Sequence, residues 1–291
     1  MTGVTWMGRG GGCVDIVTAA KWTGGRVSVA ADAELLVEVA GPVATVVIQN
    51  PARRNAMTSA MWRRLPGVLD RLEADPAVRA LVLTGADGTF CAGADLGDLD
   101  ELLDAGDASI AVTAEERLAA FAKPTIAAIR GACVGGGCQL AVACDLRLAA
   151  DDARFGVPPA RLGLVYPAPT TGRLARLVGP STAKALLFTA ELIDAGRALR
   201  VGLVDEVLPA TALSARVGAV TAMVTERSQL SVMAAKEIVD GRADDDQIAW
   251  WHGQVRASGE AREGVTAANE RRPARFPWSP PEARPGETGT G

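Results

Sequence analysis

The sequence predicts an α/β fold whose C-terminal part is helical. Short apolar, β-rich runs bounded by Gly, Pro or Asp alternate with helically spaced segments, and beyond about residue 180 the pattern turns almost wholly helical. Composition agrees. Hydrophobic residues make up 48% of the 291 positions against 22% charged, enough apolar side chains to bury a sizeable core.

In chain order, residues 1–30 carry a glycine cluster (Gly8, Gly10, Gly11, Gly12) without the apolar core of a secretory signal or the Arg/Ser pattern of a transit peptide. They read as a flexible extension, in keeping with an over-long start assignment. Val43–Gln49 (VATVVIQ), Ala80–Thr84 (ALVLT), Thr125–Ile129 (TIAAI) and Leu146–Ala149 are predicted strands. Met61, Leu65, Leu69 and Leu72 recur at helical spacing, with Pro66-Gly67 expected to kink that helix or delay its start.

Further on, Ala183–Thr189 and Ala195–Val201 are helical segments flanking Glu191-Leu192-Ile193, and Leu203–Leu208 reads as a short strand. Ser228 has the character of an N-cap and Gly241 of a C-cap for the helix carrying Val232, Ala235 and Ile238. The tail from Pro277 to Gly291, rich in Pro, Gly and Glu, is expected to be mobile. No internal repeat of fixed period occurs.

Charge and residue usage exclude several function classes. Lys+Arg 30 against Asp+Glu 34 gives a net charge of −4, with no basic field to hold a nucleic acid. The five cysteines are odd in number and contain no CxxC pair, which fits a reducing cytoplasm. His252 is the only histidine and GxSxG is absent, so zinc-type and serine-type hydrolysis find no residues here. The longest apolar stretch, Thr125 to Ala150, is broken by Arg130, Gln139 and Asp145 before reaching the ~18 residues of a membrane span. A cytoplasmic, soluble protein is expected.

Two glycine-rich segments follow predicted strands: Gly85 to Leu96 (GADGTFCAGADL) and Gly131 to Leu140 (GACVGGGCQL). Small side chains leave backbone N–H groups bare in both, and two such donors from two loops would hold an oxygen that becomes negative during a reaction. Gly135-Gly136-Gly137 is not followed by the Lys-Ser/Thr of a phosphate loop, and neither segment spells GxGxxG. Close packing of helix on strand is the other use of such glycines.

Taken together, Asn50-Pro51 with Arg54-Asn55-Ala56-Met57, then FCAGADL, GGGCQLAVACDLRLA, Phe155-Gly156, Ala160-Arg161-Leu162-Gly163-Leu164, Glu191-Leu192-Ile193-Asp194-Ala195 and Gly202-Leu203-Val204-Asp205 resemble the enoyl-CoA hydratase/isomerase (crotonase) superfamily. The likeness runs in order from about Glu38 to Phe276. It implies a crotonase-like spiral of ββα units over 31–210, a helical C-terminal trimerisation region over 211–278 and a flexible tail over 279–291. Assembly into trimers, paired into hexamers, and a coenzyme A thioester as substrate are implied as well, with no metal or redox cofactor.

By the same resemblance the backbone N–H groups of Ala94 and Gly136 are the oxyanion donors, and Ala56, Ala92 and Leu96 shape the adenine pocket. Asp95 orders its loop. Arg53 and Arg54 either meet CoA phosphates or are solvated surface arginines. Hydratases of this family carry two glutamates that activate water, and here their positions hold Gln139 and Pro159. An amide orients water but takes up no proton near neutral pH, and proline offers no acid or base; each such group is typically worth ~10²- to 10⁴-fold in rate.

Three substitutes are visible. Tyr166, the only tyrosine, is either a proton donor to an enolate or a structural residue beside Pro167. The acidic stretch from Asp95 to Asp107 offers Asp98, Asp100, Glu101 and Asp104, although a charge run is more often a solvated face. His252, after Trp250-Trp251, fits packing or subunit contact better than catalysis. Cys91, Cys133, Cys138 and Cys144 read as core filler. The expected activity is that of an acyl-CoA enzyme stabilising a thioester enolate, with ordinary hydration doubtful; the rival is a non-catalytic acyl-CoA-binding or partner subunit.

Overall fold

A computed structural model describes residues 5–7, 13–15, 33–98 and 109–281. Strands β1 (Thr5–Met7) and β2 (Cys13–Asp15) pair with each other, antiparallel. The main body then runs β3 (Glu34–Ala40), β4 (Val43–Gln49), α1 (Ser59–Ala74), β5 (Ala80–Gly85), α2 (Ile110–Ala119), β6 (Thr125–Ile129), β7 (Ala132–Val134), α3 (Gly136–Ala143), β8 (Leu146–Ala150) and β9 (Arg154–Gly156). It continues through α4 (Pro159–Leu162), α5 (Ala168–Val178), α6 (Pro180–Thr189), β10 (Ile193–Asp194), α7 (Ala195–Arg200) and β11 (Glu206–Leu208). Four helices close it: α8 (Leu213–Thr225), α9 (Gln229–Val239), α10 (Asp245–Ser258) and α11 (Glu260–Glu270).

Six strands form one sheet in the order β11-β8-β6-β5-β4-β3, parallel except for the β3–β4 hairpin. A smaller sheet, β10-β9-β7, lies beyond it. The near-continuous apolar character of β5 and β6 follows from burial on both faces. Leu81 and Leu83 of β5, with Ala127 and Ile129 of β6, pack into the core shared with Met61, Trp62, Leu65 and Leu69 of α1. Their alternates Val82, Ile126 and Ala128 pack instead on Leu213, Val217 and Val220 of α8. Each large side chain so buried contributes about 1.5–3 kcal/mol of transfer free energy.

The C-terminal helices are tied to this body by buried polar links. Lys236 Nζ of α9 reaches Asp145 Oδ2 at 2.8 Å, and the same oxygen accepts the Thr125 N–H at 2.7 Å where β6 begins. Ser228 caps α9 as expected, accepting the Ser231 N–H, and Gly241 follows the helix end at φ +67°.

Sequence expectation and structure part at two elements. Pro66 lies inside α1 and does not delay it, because Thr58 Oγ1 caps the Met61 N–H and a buried stripe from Met61 to Leu72 carries the helix through. The predicted strand Leu203–Leu208 is reduced to Glu206–Leu208, its first residues turning after α7 to bury Leu203 and Val204. His252 is exposed in the single chain, as a residue at a subunit contact would be, and its neighbour Trp251 packs against Trp250 and Trp278, with its indole donating to Glu237 at 2.6 Å. Asp100, Glu101 and Asp104, the Gly8–Gly12 cluster and residues 282–291 lie outside the described residues, as does the Asp98 side chain.

Candidate active site

The segment following β5 threads between two others, and its N–H groups can be followed one by one. Phe90 and Cys91 donate to Arg130 and Ala132 on one side, Ala92 donates to Arg54 on the other, Gly93 donates to the Cys91 sulfur, and Asp95 donates to Met57. Met57 in turn donates to Gly93, so Met57 and Ala94 form an isolated parallel bridge. In such a bridge the central residue's own N–H points away from its partner strand. Ala94 N–H has no acceptor among the described residues.

The second donor comes from the start of α3. Gln139 N–H is the first to close a helical bond, to Gly135 O, leaving the first-turn amides from Gly136 onward without an intrahelical partner. Gly135 sits at φ +56° and ψ −123°, a conformation open to glycine, and this turns the chain so that α3 begins beside Ala94. A Cβ built on Gly136 would lie 3.4 Å from Ala94 N, and one on Gly93 would lie 3.6 Å from Gly136 N. Gly137 makes the approach possible: a Cβ there would meet Cys91 O at 2.2 Å. The two glycine-rich segments thus bring two unpaired amides side by side at a positive helix end.

Below these amides, Trp62 of α1 supports the floor, its Cζ2 standing 3.0 Å from a Cβ on Gly136, and its indole N–H is buried without a partner among the described residues. Tyr166 closes the other side: its Oη is 3.3 Å from a Cβ on Gly135. Burial, with smaller contributions from Cys138 and Glu115, holds the phenol well above its ordinary pKa, so it stays protonated across the physiological range. Tyr166, Gln139, Cys138, Val142, Thr170 and Leu174 are among the residues lining one narrow cavity of about 10 Å³, on the order of what one water needs. A larger open hollow near Glu263 and Arg272 shares no residue with it.

Of the sequence-derived candidates, Ala94, Gly136, Tyr166 and Gln139 are gathered here. Arg54, Ala56, Ala92 and Leu96 cluster along the same threaded segment: Arg54 O accepts from Ala92, Ala56 is buried, and Leu96 is exposed. Asp95 orders its loop by accepting the Gly97 N–H at 3.0 Å. Pro159 is buried at the start of α4, two residues past the cavity-lining Val157, and is not among the lining side chains. Cys91, Cys133, Cys138 and Cys144 are all buried and free, and burial pushes the Cys91 and Cys144 thiols up to about 12, which suits core filler and not nucleophiles.

Four residues have roles that the sequence did not assign. Asn55, buried at φ +58°, donates to Ala86 O and Thr89 O and accepts from Asn50 N–H, pinning the loop that presents Ala94. Asn50 donates to Ala56 O at 2.8 Å. Glu115 of α2 is wholly buried, and Thr170 of α5 donates to it at 2.5 Å. A signal for Glu115 exists: Val112, Glu115 and Leu118 recur every third residue, placing a carboxyl on an apolar stripe.

The sequence matches the enoyl-CoA hydratase/isomerase family over residues 38–278. The chain belongs to the enoyl-CoA hydratase/isomerase family. It is 34% identical to crotonyl-CoA hydratase of Syntrophomonas wolfei over 252 residues, covering 83% of this chain and 97% of that one. Short-chain-enoyl-CoA hydratase of Clostridium acetobutylicum is 35% identical over 210 residues, 71% of this chain and 80% of that one. Among solved structures, an enoyl-CoA hydratase/isomerase family member superposes with a TM-score of 0.81 at 36% identity, covering 86% of this chain and 98% of the other. Enoyl-CoA hydratase from Bacillus anthracis does so with a TM-score of 0.75 at 28% identity, covering 83% and 98%.

The fold is therefore the crotonase fold, with two sheets and C-terminal helices, and the protein is an enoyl-CoA hydratase-type enzyme acting on acyl-CoA. Among the described residues, no helix of this hydratase/isomerase family member is long and apolar enough to cross a membrane.

Proposed function

We propose that this family member stabilises the enolate of an acyl-CoA thioester between the amides of Ala94 and Gly136. The observation that carries the reading is the adjacency of two N–H groups that have no acceptor among the described residues, one from a threaded loop and one from a helix start. Placed about a carbonyl oxygen, such donors contribute a few kcal/mol each to a state in which that oxygen is negative. Ala56, Ala92 and Leu96 border the adenine, and Arg54 meets CoA phosphates.

The reaction runs without the two hydratase glutamates, since Gln139 and Pro159 stand at their positions. Double-bond migration, decarboxylation, C–C cleavage and hydration with another base all pass through the same enolate, and Tyr166, protonated beside Gly135, is placed to donate to it. The protein works as a trimer or hexamer; Phe188, Val239 and Val265, exposed on the later helices, support self-association.

The absent glutamates favour a second reading, a non-catalytic acyl-CoA-binding or partner subunit. An assay of purified protein with crotonyl-CoA and a panel of unsaturated and malonyl-type thioesters, with binding measured independently, separates the two. Turnover of at least one thioester is expected; binding across the panel with no turnover supports the second reading.

A further inference from the structure

Glu115 occupies an odd position for a carboxyl group. It is 0% exposed, its Oε2 accepts the Thr170 hydroxyl at 2.5 Å, and its Oε1 has no partner among the described residues. An apolar side chain would fill the same place on the stripe between Val112 and Leu118 without leaving an oxygen unpaired. Thr170, its one hydrogen-bond partner among the described residues, lines the cavity that also holds Gln139 and Tyr166.

The surroundings favour a carboxyl group that keeps a proton to high pH. Burial pushes Glu115 up to about 8, outweighing the Thr170 hydrogen bond and the charge of Arg173, while Glu116 adds a smaller rise. Facing it are Thr170 and Arg173 of α5, Tyr166 ahead of that helix and Glu116 on its own helix, with Cys138 of α3 beyond Tyr166; Asp70 and Glu73 of α1 are engaged by Arg117 instead. Arg173 gives one nitrogen to Glu116 at 2.6 Å and keeps another buried without a partner among the described residues.

Resting on the enolate reading above, we propose that Glu115 and Thr170 together are a second proton carrier of this enzyme beside Tyr166, Glu115 storing the proton and the Thr170 hydroxyl passing it between Glu115 and the cavity. The step starts from ionised Glu115, whose Oε2 accepts the Thr170 hydroxyl. As the α C–H bond of the thioester breaks, its proton moves to Thr170 Oγ1 while the Thr170 hydroxyl proton moves to Glu115 Oε2; the C–H electron pair becomes the enolate and Glu115 is left as the neutral acid. Return of the proton along the same path to the α- or γ-carbon forms the new C–H bond from the enolate electron pair, restores the thioester carbonyl and regenerates the carboxylate, so a double-bond shift leaves both residues as they began. Thr170 is the catalytic member and Glu115 acts through it.

The test uses the full-length protein, acetoacetyl-CoA as an acidic thioester that reports enolate binding by its ultraviolet band, and butyryl-CoA in D2O as a reporter of α-proton exchange. Wild type is expected to bind acetoacetyl-CoA as the enolate and to exchange the butyryl α-protons. Glu115→Gln and Thr170→Val should each slow exchange ~10²-fold or more with acetoacetyl-CoA affinity within about threefold, and Thr170→Ser should restore it. The infrared C=O band of protonated Glu115, absent from Glu115→Gln, should shift when acetoacetyl-CoA binds to wild type and stay still in Thr170→Val. Exchange at the wild-type rate in either variant, a Glu115 band unmoved by bound ligand, or enolate binding without any exchange overturns the carrier while leaving the amide pair standing. Failure of wild type to bind acetoacetyl-CoA as an enolate overturns the enolate reading itself.

Discussion

A methyl group on Gly136 would stand 3.4 Å from the amide nitrogen of Ala94 and 3.0 Å from Trp62 Cζ2, in the space between the two unpaired donors. Gly136→Ala is therefore expected to lower turnover by ~10²-fold or more, the scale of losing one oxyanion donor. Its contact with Trp62 should cost about 1–3 kcal/mol as overpacking, which thermal unfolding reads separately. Gly136→Pro removes the N–H itself at the helix position where proline is best tolerated and should be at least as damaging. Wild-type turnover in both variants would remove Gly136 from the site.

On the proposed reading Gln139 and Pro159 stand where hydratases carry their water-activating carboxylates, and these can be put back. Gln139 lines the cavity, and Pro159 begins α4, where a glutamate suits the helix start. Gln139→Glu combined with Pro159→Glu should raise hydration of crotonyl-CoA by ~10²-fold or more, given the usual contribution of each group. An unchanged rate would mean that the water site has been remodelled beyond these two side chains.

Glu115 makes stability fall as pH rises. Its folded pKa, about 8, lies above the ordinary carboxyl value of 4.5, so below pH 4.5 both folded and unfolded chains hold the proton and no penalty arises. Between 4.5 and 8 the unfolded chain ionises while the folded one does not, and stability drops by up to about 1.4 kcal/mol per pH unit. Glu115→Gln should flatten that slope in denaturant titrations from pH 5 to 8. Parallel slopes for variant and wild type would contradict the assignment.

Asn55 and Arg54 are neighbours with different duties. Asn55→Ala leaves Ala86 O, Thr89 O and Asn50 N–H short of a partner and should cost on the order of 2–4 kcal/mol in denaturant unfolding. Arg54→Ala, at an exposed position, should leave stability within about 0.5 kcal/mol and raise KM for acyl-CoA with kcat unchanged if its charge meets phosphate. Loss of stability in Arg54→Ala and none in Asn55→Ala would reverse these roles.

Much of this was legible from local pattern. Val43–Gln49 and Thr125–Ile129 are strands with the predicted bounds because their apolar runs are short and sharply ended by Gly, Pro or Asp. The glycine segments announced bare amides, since Gly135 and Gly137 have no other residue type that fits. Pro66 misled because its local cost is outweighed by the tertiary burial of Met61, Trp62, Leu65 and Leu69. The Glu115–Thr170 pair spans 55 residues of sequence, and only the packing of α2 on α5 brings it together. Asn55 was missed for a related reason, as its partners Ala86 and Thr89 lie more than thirty residues away.

The convergence of Ala94 and Gly136 on one thioester oxygen is read most directly from the carbonyl stretch of crotonyl-CoA carrying carbon-13 at the thioester carbon, bound at saturation. Two donated N–H bonds should move the band to lower frequency than in free solution, and Gly136→Ala should return it most of the way. A saturated wild-type complex whose band matches that of free crotonyl-CoA would contradict the account.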